Sequence, residues 1–203
     1  CKFLWFHKNA VELQSSLGAV RRSFALSYWW NLATAYAPAH DAFLRIRDET
    51  EAAFRREPSS FDLFMDLRAL NERLGANQRT ADIFEAVAQE DFHASKRLYH
   101  VAEKALVAEG RYRTCAPYLE PARRMEEAVR SRKRLKDFEE SRRHDRIPAP
   151  EYADRHYIED VGTLIALLVI NGRTPEAMKT YFEALEVVKG EDCREELGRA
   201  MAG

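Results

Sequence analysis

The chain has 203 residues, which suits one domain or one short repeat array. Its 32 Lys plus Arg nearly cancel its 33 Asp plus Glu, which excludes a global electrostatic attraction to nucleic acid or to an anionic membrane. Only 8 Gly and 7 Pro occur, too few for the many turns of a sandwich or barrel, and the helix formers Ala, Leu, Glu and Arg dominate. These features predict an all-α protein.

Helix-capping and helix-breaking residues divide the chain into the helical segments of a single predicted domain, residues 1–203. In chain order the predicted segments are a capping helix at 1–18, helix pairs at 19–57, 59–90, 91–121 and 151–190, a charged helical insertion at 122–150, and a C-terminal cap at 191–203. Ser59 is a candidate N-cap, and Thr174 with Pro175 predicts a helix start after the turn dipeptide Asn171-Gly172. Apolar residues recur at helical spacing between these marks.

Three glycines, Gly75, Gly110 and Gly172, are predicted to end the first helix of successive pairs. The first two are 35 residues apart, and the last two are 62 apart. The positions five, nine and twelve residues after each glycine share a pattern of small and large apolar side chains. In chain order these residues are Thr80, Phe84 and Val87; Cys115, Leu119 and Ala122; and Ala177, Tyr181 and Ala184.

This pattern resembles the tetratricopeptide repeat, W-x-x-L-G-x-x-Y…A-x-x-x-F…P in generic form, whose period is about 34 residues. The copy that ends at Ala184 matches best, and the copies lack the family's Pro at the end of the second helix, apart from a loose match at Pro58. The resemblance covers about residues 20–190. It implies a right-handed superhelical stack of antiparallel helix pairs, a TPR-like α-solenoid, with a concave groove lined by the first helix of each pair.

The resemblance also implies which residues face this groove. They are Asn31, Asp62, Met65, Arg97, His100, Lys104, Glu159 and Ala166. The trio Arg97, His100 and Lys104 is spaced by three and four residues, so it shares one helix face. It would either hold a partner's carboxylate or acidic segment, or form a solvated basic stripe.

Some tetratricopeptide domains grip a C-terminal carboxylate with a clamp of Lys, Asn and Arg. In this chain Ser27 and Asp66 stand where that clamp uses Lys and Asn. The departure removes two of the donors that bind the carboxylate, so we do not expect chaperone-tail binding here.

The insertion at 122–150 has two interpretations. One is a long solvated helix that overhangs the array, with i,i+4 charge pairs such as Glu126–Arg130. The other is a basic arm for an acidic partner or RNA, because eight basic residues lie between Arg130 and Arg146. Only Phe138 could stack on a base, which argues against single-strand binding.

Catalytic and metal-binding signatures are weak. Glu90-x-x-His93 is half of a di-iron motif, but no second Glu-x-x-His occurs. His156 with Glu159 and Asp160 lies at a predicted helix start, where the helix dipole favours the carboxylates. Cys115 fits the repeat as a packed small residue. We therefore expect no catalytic residue, no metal and no cofactor; the alternative is a helical-array enzyme that uses some of Glu90, His93, His100 and His156.

The three cysteines Cys1, Cys115 and Cys193 form no disulfide framework, which predicts reduced thiols and a cytoplasmic location. The alternative is a lipid-anchored or exported protein processed at Cys1. The apolar run Phe3 to Phe6 follows at once, whereas a lipoprotein usually has a polar tether there. The longest apolar run, Leu164 to Ile170, is too short to span a bilayer.

Large apolar side chains near the N-terminus, Trp29, Trp30 and the run Phe3 to Phe6, leave two interpretations open. They form either a core stripe covered by the N-terminal helix, or an exposed patch for homodimerisation. The sequence as a whole favours a non-enzymatic scaffold that binds a protein or peptide, including an acidic one, in its groove. Nucleic-acid binding is disfavoured by the balanced charge and the shortage of aromatics in the insertion.

Overall fold

The computed structural model describes residues 2–141 and 152–202, and both ranges are helical with no strand. The all-α prediction is confirmed. The chain forms two compact units, Cys1–Thr114 and Cys115–Gly203. Part of the predicted insertion, 142–150, lies outside the described residues.

The first unit is built from seven helices of two to five turns and the start of a short eighth. They are α1 (Lys2–Leu13), α2 (Leu17–Arg22), α3 (Phe24–Ala35), α4 (Ala37–Arg56), α5 (Phe61–Arg73), α6 (Asn77–Glu90), α7 (Phe92–Ala108) and α8 (Tyr112–Cys115). The second unit continues with a 3₁₀ turn (Ala116–Tyr118), α9 (Pro121–Ser141), α10 (Tyr152–Ile170), α11 (Thr174–Val187) and α12 (Glu191–Ala202).

Trp29 of α3 is the largest buried side chain of the first unit, and it packs against α1 and α4. Its ring meets Phe43 of α4 edge-on, with centroids 5.2 Å apart, and stacks on Phe3 of α1 at 6.3 Å. Burying each such side chain stabilises the fold by about 1.5–3 kcal/mol. The N-terminal helix therefore packs on the core side chain Trp29 through Phe3, while Trp5 of the same run is 58% exposed.

Four aromatic rings, one from each helix between α4 and α7, form a continuous chain of contacts through the first unit. The centroids are 5.3 Å apart between Phe54 and Phe64, 6.4 Å between Phe64 and Phe84, and 6.2 Å between Phe84 and Tyr99. All four side chains are buried. Tilted aromatic pairs at such distances add about 0.5–1.5 kcal/mol each beyond the area that they bury.

Gly75, Gly110 and Gly172 end their helices in the same way. Each has a positive φ, between 66° and 75°, which favours a residue without a Cβ. In each case the glycine N–H donates to the carbonyl three residues back, and the next N–H donates to the carbonyl five back, at 2.8 Å. This is the Schellman motif. The residue five positions after each glycine is fully buried in all three bends: Thr80, Cys115 and Ala177.

The pair predicted at 91–121 departs from a regular hairpin. After the bend at Gly110, α8 has only four residues and passes into the 3₁₀ turn, which contains Pro117. Pro121 then begins α9. Proline lacks the N–H that an inner helical turn requires but is well tolerated in a first turn, so the second helix is cut short and a new one starts.

In the second unit α10 packs against α9, α11 and α12. Its apolar residues at helical spacing form a stripe that is buried at Ile158, Val161, Leu164, Ile165 and Leu168, and Val169 is half-buried. Helix α12 passes beside Gly162, where an added Cβ would lie 3.9 Å from the Cβ of Ala200, an ordinary van der Waals distance. The stripe therefore serves as the centre of this unit's core.

The described part of the insertion, α9, runs antiparallel to α10 and buries Met125 and Ala128. Arg132 Nε donates to Asp154 Oδ1 at 2.5 Å, and Lys136 Nζ lies 3.1 Å from Asp154 Oδ2. Burial alone would raise the pKa of Asp154, but these two cations hold that pKa below its ordinary value. Helix α9 therefore packs along α10 and does not overhang its unit. Its other face is solvated as predicted, and the predicted i,i+4 pair of Glu126 and Arg130 forms at 3.7 Å.

Candidate functional site

Helix α7 carries the predicted trio Arg97, His100 and Lys104 on its exposed face. The helix is fixed at its start by Asp91, whose carboxylate accepts from the backbone N–H groups of Ala94 at 3.0 Å and His93 at 2.8 Å. These bonds, the one from Ala94 foremost, hold the pKa of Asp91 below its ordinary value.

Each member of the trio reaches across to α5 or to the segment that precedes it. Lys104 Nζ lies 2.6 Å from Glu72 Oε1, and the His100 ring stacks on Phe61 with centroids 5.4 Å apart. Arg97 Nη2 donates a longer bond, 3.4 Å, to the carbonyl oxygen of Ser59. The three side chains thus lie above one neighbouring helix and form a single surface with it.

The α5 side of this surface holds two more predicted residues. Asp62 is exposed and Met65 is half-buried, and both lie on one stripe of α5 with Glu72, since their spacings are three and seven residues. We call the surface formed by Asp62, Met65, Glu72, Arg97, His100 and Lys104 the α5–α7 face. Five of the eight predicted groove residues therefore lie on two adjacent helices.

Cations predominate at the centre of the α5–α7 face. Glu72 accepts from Lys104 and, through its other oxygen, from Arg68 at 2.5 Å. Burial would raise the pKa of Glu72, but Lys104 and Arg68 keep that pKa below its ordinary value. One carboxylate thus stands between two cations, with Arg97 and His100 beside them.

The remaining predicted groove residues lie elsewhere. Asn31 is exposed on α3, and Glu159 is exposed on α10 of the second unit, where its backbone carbonyl accepts from Thr163. Ala166 of α10 is half-buried. The prediction of these three residues rests on the repeat alignment alone. The prediction of the α7 trio also rests on the spacing of its members within one helix.

Asp66, the residue that departs from the carboxylate clamp, is buried beneath the α5–α7 face. Its carboxylate accepts from Arg21 and, at 2.7 Å, from Nε of Arg22; both arginines belong to α2. Arg22 also donates to Asp62 at 2.7 Å. Asp66 therefore serves as an internal anchor for α2 rather than as a ligand contact, a role that sequence separations of 44 and 45 residues concealed.

His7 of α1 lies beside this ion cluster and is buried. Its backbone carbonyl accepts from Arg21 at 3.0 Å, and its ring meets Trp29 edge-on at 6.1 Å. Burial, assisted by the charge of Arg21, lowers the pKa of His7 to about 4, although Asp66 acts in the opposite direction. His7 is thus a neutral core residue at ordinary pH.

A cavity of about 320 Å³ opens between α4 and α6. It is lined by Glu51, Arg55, Arg79, Asp82, Ile83 and Ala86. The buried Glu51 carboxylate accepts from both Arg55 and Arg79, which together hold its pKa below the ordinary value against the opposing effect of burial. Asp82 is paired with Arg111. The charges that line this cavity are therefore matched from within the chain.

The candidate catalytic groups Glu90, His93, His100 and His156 are all exposed side chains. Glu90 and His93 are exposed at the junction of α6 and α7, and His156 is exposed on α10 in the second unit. Cys115 is fully buried, as expected of a packed small residue. Across residues 2–141 and 152–202, no group of three or more His, Cys, Asp or Glu side chains could hold a metal ion.

The basic residues of the insertion are partly engaged within their own unit. Arg132 and Lys136 bind Asp154, and Arg130 lies 3.7 Å from Glu126. The candidates Arg142, Arg143 and Arg146 lie outside the described residues. Pairing of this kind lowers the net positive charge that α9 offers to a polyanion.

The chain matches no protein-family model, no curated protein and no solved structure. None of the helices described is both long enough and apolar enough to cross a membrane.

Proposed function

We propose that this protein is a non-enzymatic interaction scaffold whose α5–α7 face binds an acidic segment of a protein or peptide partner. The observation that carries the proposal is the arrangement of Arg97, His100 and Lys104, three exposed donors on one face of α7 above the half-buried acceptor Glu72. The exposed Asp62 lies further along the same stripe of α5.

A partner carboxylate can compete for these donors at little cost. The Lys104 side chain is 77% exposed, and an ion pair at such a site contributes only about 0–1 kcal/mol. The guanidinium of Arg97 has five N–H donors in a planar fork, which suits bidentate binding of a carboxylate. The face therefore favours ligands that bring two or more carboxylates.

Phe61 gives the ligand an apolar neighbour. It is 39% exposed, and its ring supports the imidazole of His100. The adjacent Met65 is half-buried and has an adaptable, polarisable side chain. We infer that the preferred segment combines acidic residues with one apolar residue, because a contact of both kinds gives specificity as well as attraction.

We further propose a TPR-like helical repeat as the scaffold, stacked as a right-handed superhelix. The three Schellman bends and the ring-to-ring packing from α4 to α7 support this proposal. In such repeats each pair hides an apolar face against its successor, and the first helices of neighbouring pairs form the binding surface. With its thiols reduced, such a scaffold would work in the cytoplasm.

Selection from a random peptide library tests the proposed specificity. We expect the bound peptides to be enriched in Asp and Glu around an aromatic or aliphatic residue, with affinities that weaken as salt rises because the contacts are exposed charge pairs. Enrichment of neutral or basic peptides, or affinities that do not respond to salt, would contradict the proposal.

A further inference from the structure

Helix α3 exposes a stripe of large apolar side chains on the face opposite its core face. The stripe comprises Phe24, Tyr28 and Leu32, which are 69%, 65% and 39% exposed. Tyr36, the residue of extended backbone directly after the helix, adds a further apolar side chain that is 55% exposed. A spacing of four residues keeps neighbouring members together on one face of a helix. The other face of α3 is the buried one that contains Trp29, so this helix is apolar on both sides.

The segment of sequence that carries the stripe has no charged residue. Between Ser23 and Ala39 the sequence contains no Asp, Glu, Lys or Arg. Asn31, Thr34 and Ala35, which are exposed on the same helix, are small or neutral. In a chain with 32% charged residues, a 17-residue segment free of charge sets this surface apart from the α5–α7 face.

We propose that the α3 stripe is a homodimer interface, in which α3 of one copy packs against α3 of a second copy across a two-fold axis. A two-fold interface must be complementary to itself, and a neutral apolar ridge meets this condition because like charges do not face each other. Helix ridges of this kind pack into each other's grooves at interaxial distances of about 8–10 Å.

The exposed side chains supply most of the area that such a dimer needs. Each aromatic side chain can bury about 150–250 Å², so the exposed fractions of Phe24, Tyr28 and Tyr36, with a smaller share from Leu32, offer about 400–450 Å² per copy. Asn31, Thr34 and Ala35 extend the contact at its rim. Two copies together then approach the roughly 1,000 Å² that a specific interface requires.

Other occupants fit this surface less well. A membrane-binding helix of this type carries Lys or Arg beside its apolar face, and the 23–39 segment has none. An acidic partner would find no cation there. The tyrosine hydroxyls at two of the four positions suit an interface whose edge meets water.

Sedimentation equilibrium on the full chain tests the proposal. Over about 1–100 μM, we expect the wild type to reach a mass near 47 kDa, twice the 23.5 kDa of one chain. Tyr28→Asp should weaken self-association at least tenfold, because each interface would then bury two carboxylates. Since Tyr28 is exposed, the far-ultraviolet circular dichroism should not change.

Phe182→Asp is the matched control, since Phe182 of α11 is a 58% exposed aromatic in the other unit. It should leave the dimer intact. A wild type that stays monomeric at the highest concentration, or a dimer that persists in Tyr28→Asp, would overturn the proposal. So would loss of the dimer in Phe182→Asp together with its retention in Tyr28→Asp.

Discussion

Asp66→Asn is expected to lower the free energy of unfolding of the first unit by about 3–5 kcal/mol, the cost of leaving a buried charge without its counter-ion. The Asp66 side chain is 8% exposed, and its partners Arg21 and Arg22 are 12% and 17% exposed. The amide of Asn can accept from one arginine but carries no charge, so Arg21 loses its counter-ion and Arg22 keeps the exposed Asp62. Urea denaturation followed by circular dichroism measures the change.

Asp62→Asn provides the control, because Asp62 lies one turn earlier on α5 and pairs with the same Arg22. Its side chain is 80% exposed, so we expect a loss of no more than about 1 kcal/mol. The contrast isolates burial as the cause. Equal losses in the two variants would show that Asp66 is not the internal anchor of α2.

The second large effect concerns pH. The pKa of His7 is lowered from 6.5 to about 4 in the folded protein, so the unfolded chain binds the proton first as pH falls. Above about pH 6.5 the imidazole is neutral in both the folded and the unfolded protein, so its burial does not lower the free energy of unfolding there. Below that pH the free energy of unfolding declines as pH falls toward 4, by a total of about 3 kcal/mol at 1.36 kcal/mol for each pKa unit.

His7→Phe should remove this part of the pH dependence. Phenylalanine keeps an aromatic edge against Trp29, and the buried Nδ1 of His7 has no hydrogen-bond partner that the change would remove. We expect the difference in unfolding free energy between wild type and variant to change by about 1–2 kcal/mol between about pH 6.5 and 5. The two proteins share the same carboxylates, so the contribution of these groups to the pH dependence cancels in the difference. Parallel stability curves would contradict a buried neutral His7.

The two effects are coupled, since the charge of Asp66 raises the pKa of His7 while Arg21 lowers it. Removing the carboxylate leaves only cations beside the imidazole. The pKa of His7 should therefore fall further in Asp66→Asn.

Local features of the fold were predictable from the sequence. The glycines that end α5, α7 and α10 are visible because a left-handed C′ residue is a local requirement, and all three adopt the same bend. Helix starts were less well placed: Ser59 was the predicted N-cap, whereas α5 begins at Phe61 with Ser60 before it. Such differences of one residue reflect the weak local preference at helix ends.

Partners that are distant in sequence were not predictable. Nothing in the chain near Asp66 indicates that Arg21 and Arg22 will reach it from α2. The exposed stripe of α3 was also hidden, because a helix that is apolar on both faces does not reveal which face is the core. Of the adjacent Trp29 and Trp30, the first is buried, and the second is half-buried against Phe43.

The candidate site shows the same division. Arg97, His100 and Lys104 follow from spacing within one helix, which the structure preserves. Their placement above α5, the contact with Phe61 and the pairing with Glu72 depend on how two helices pack. Asn31 and Glu159 were assigned through the repeat alignment, which fixes no distance between separate helices.

The most direct test of the α5–α7 face compares two charge-reversal variants. An acidic peptide is chosen by library selection, and its affinity for each variant is measured. Lys104→Glu and Lys179→Glu change side chains that are both 77% exposed and both paired with a glutamate, on α7 and on α11. We expect Lys104→Glu to weaken binding at least tenfold, about 1.4 kcal/mol, and Lys179→Glu to leave it unchanged. Equal affinities for the two variants would contradict the assignment of the binding surface.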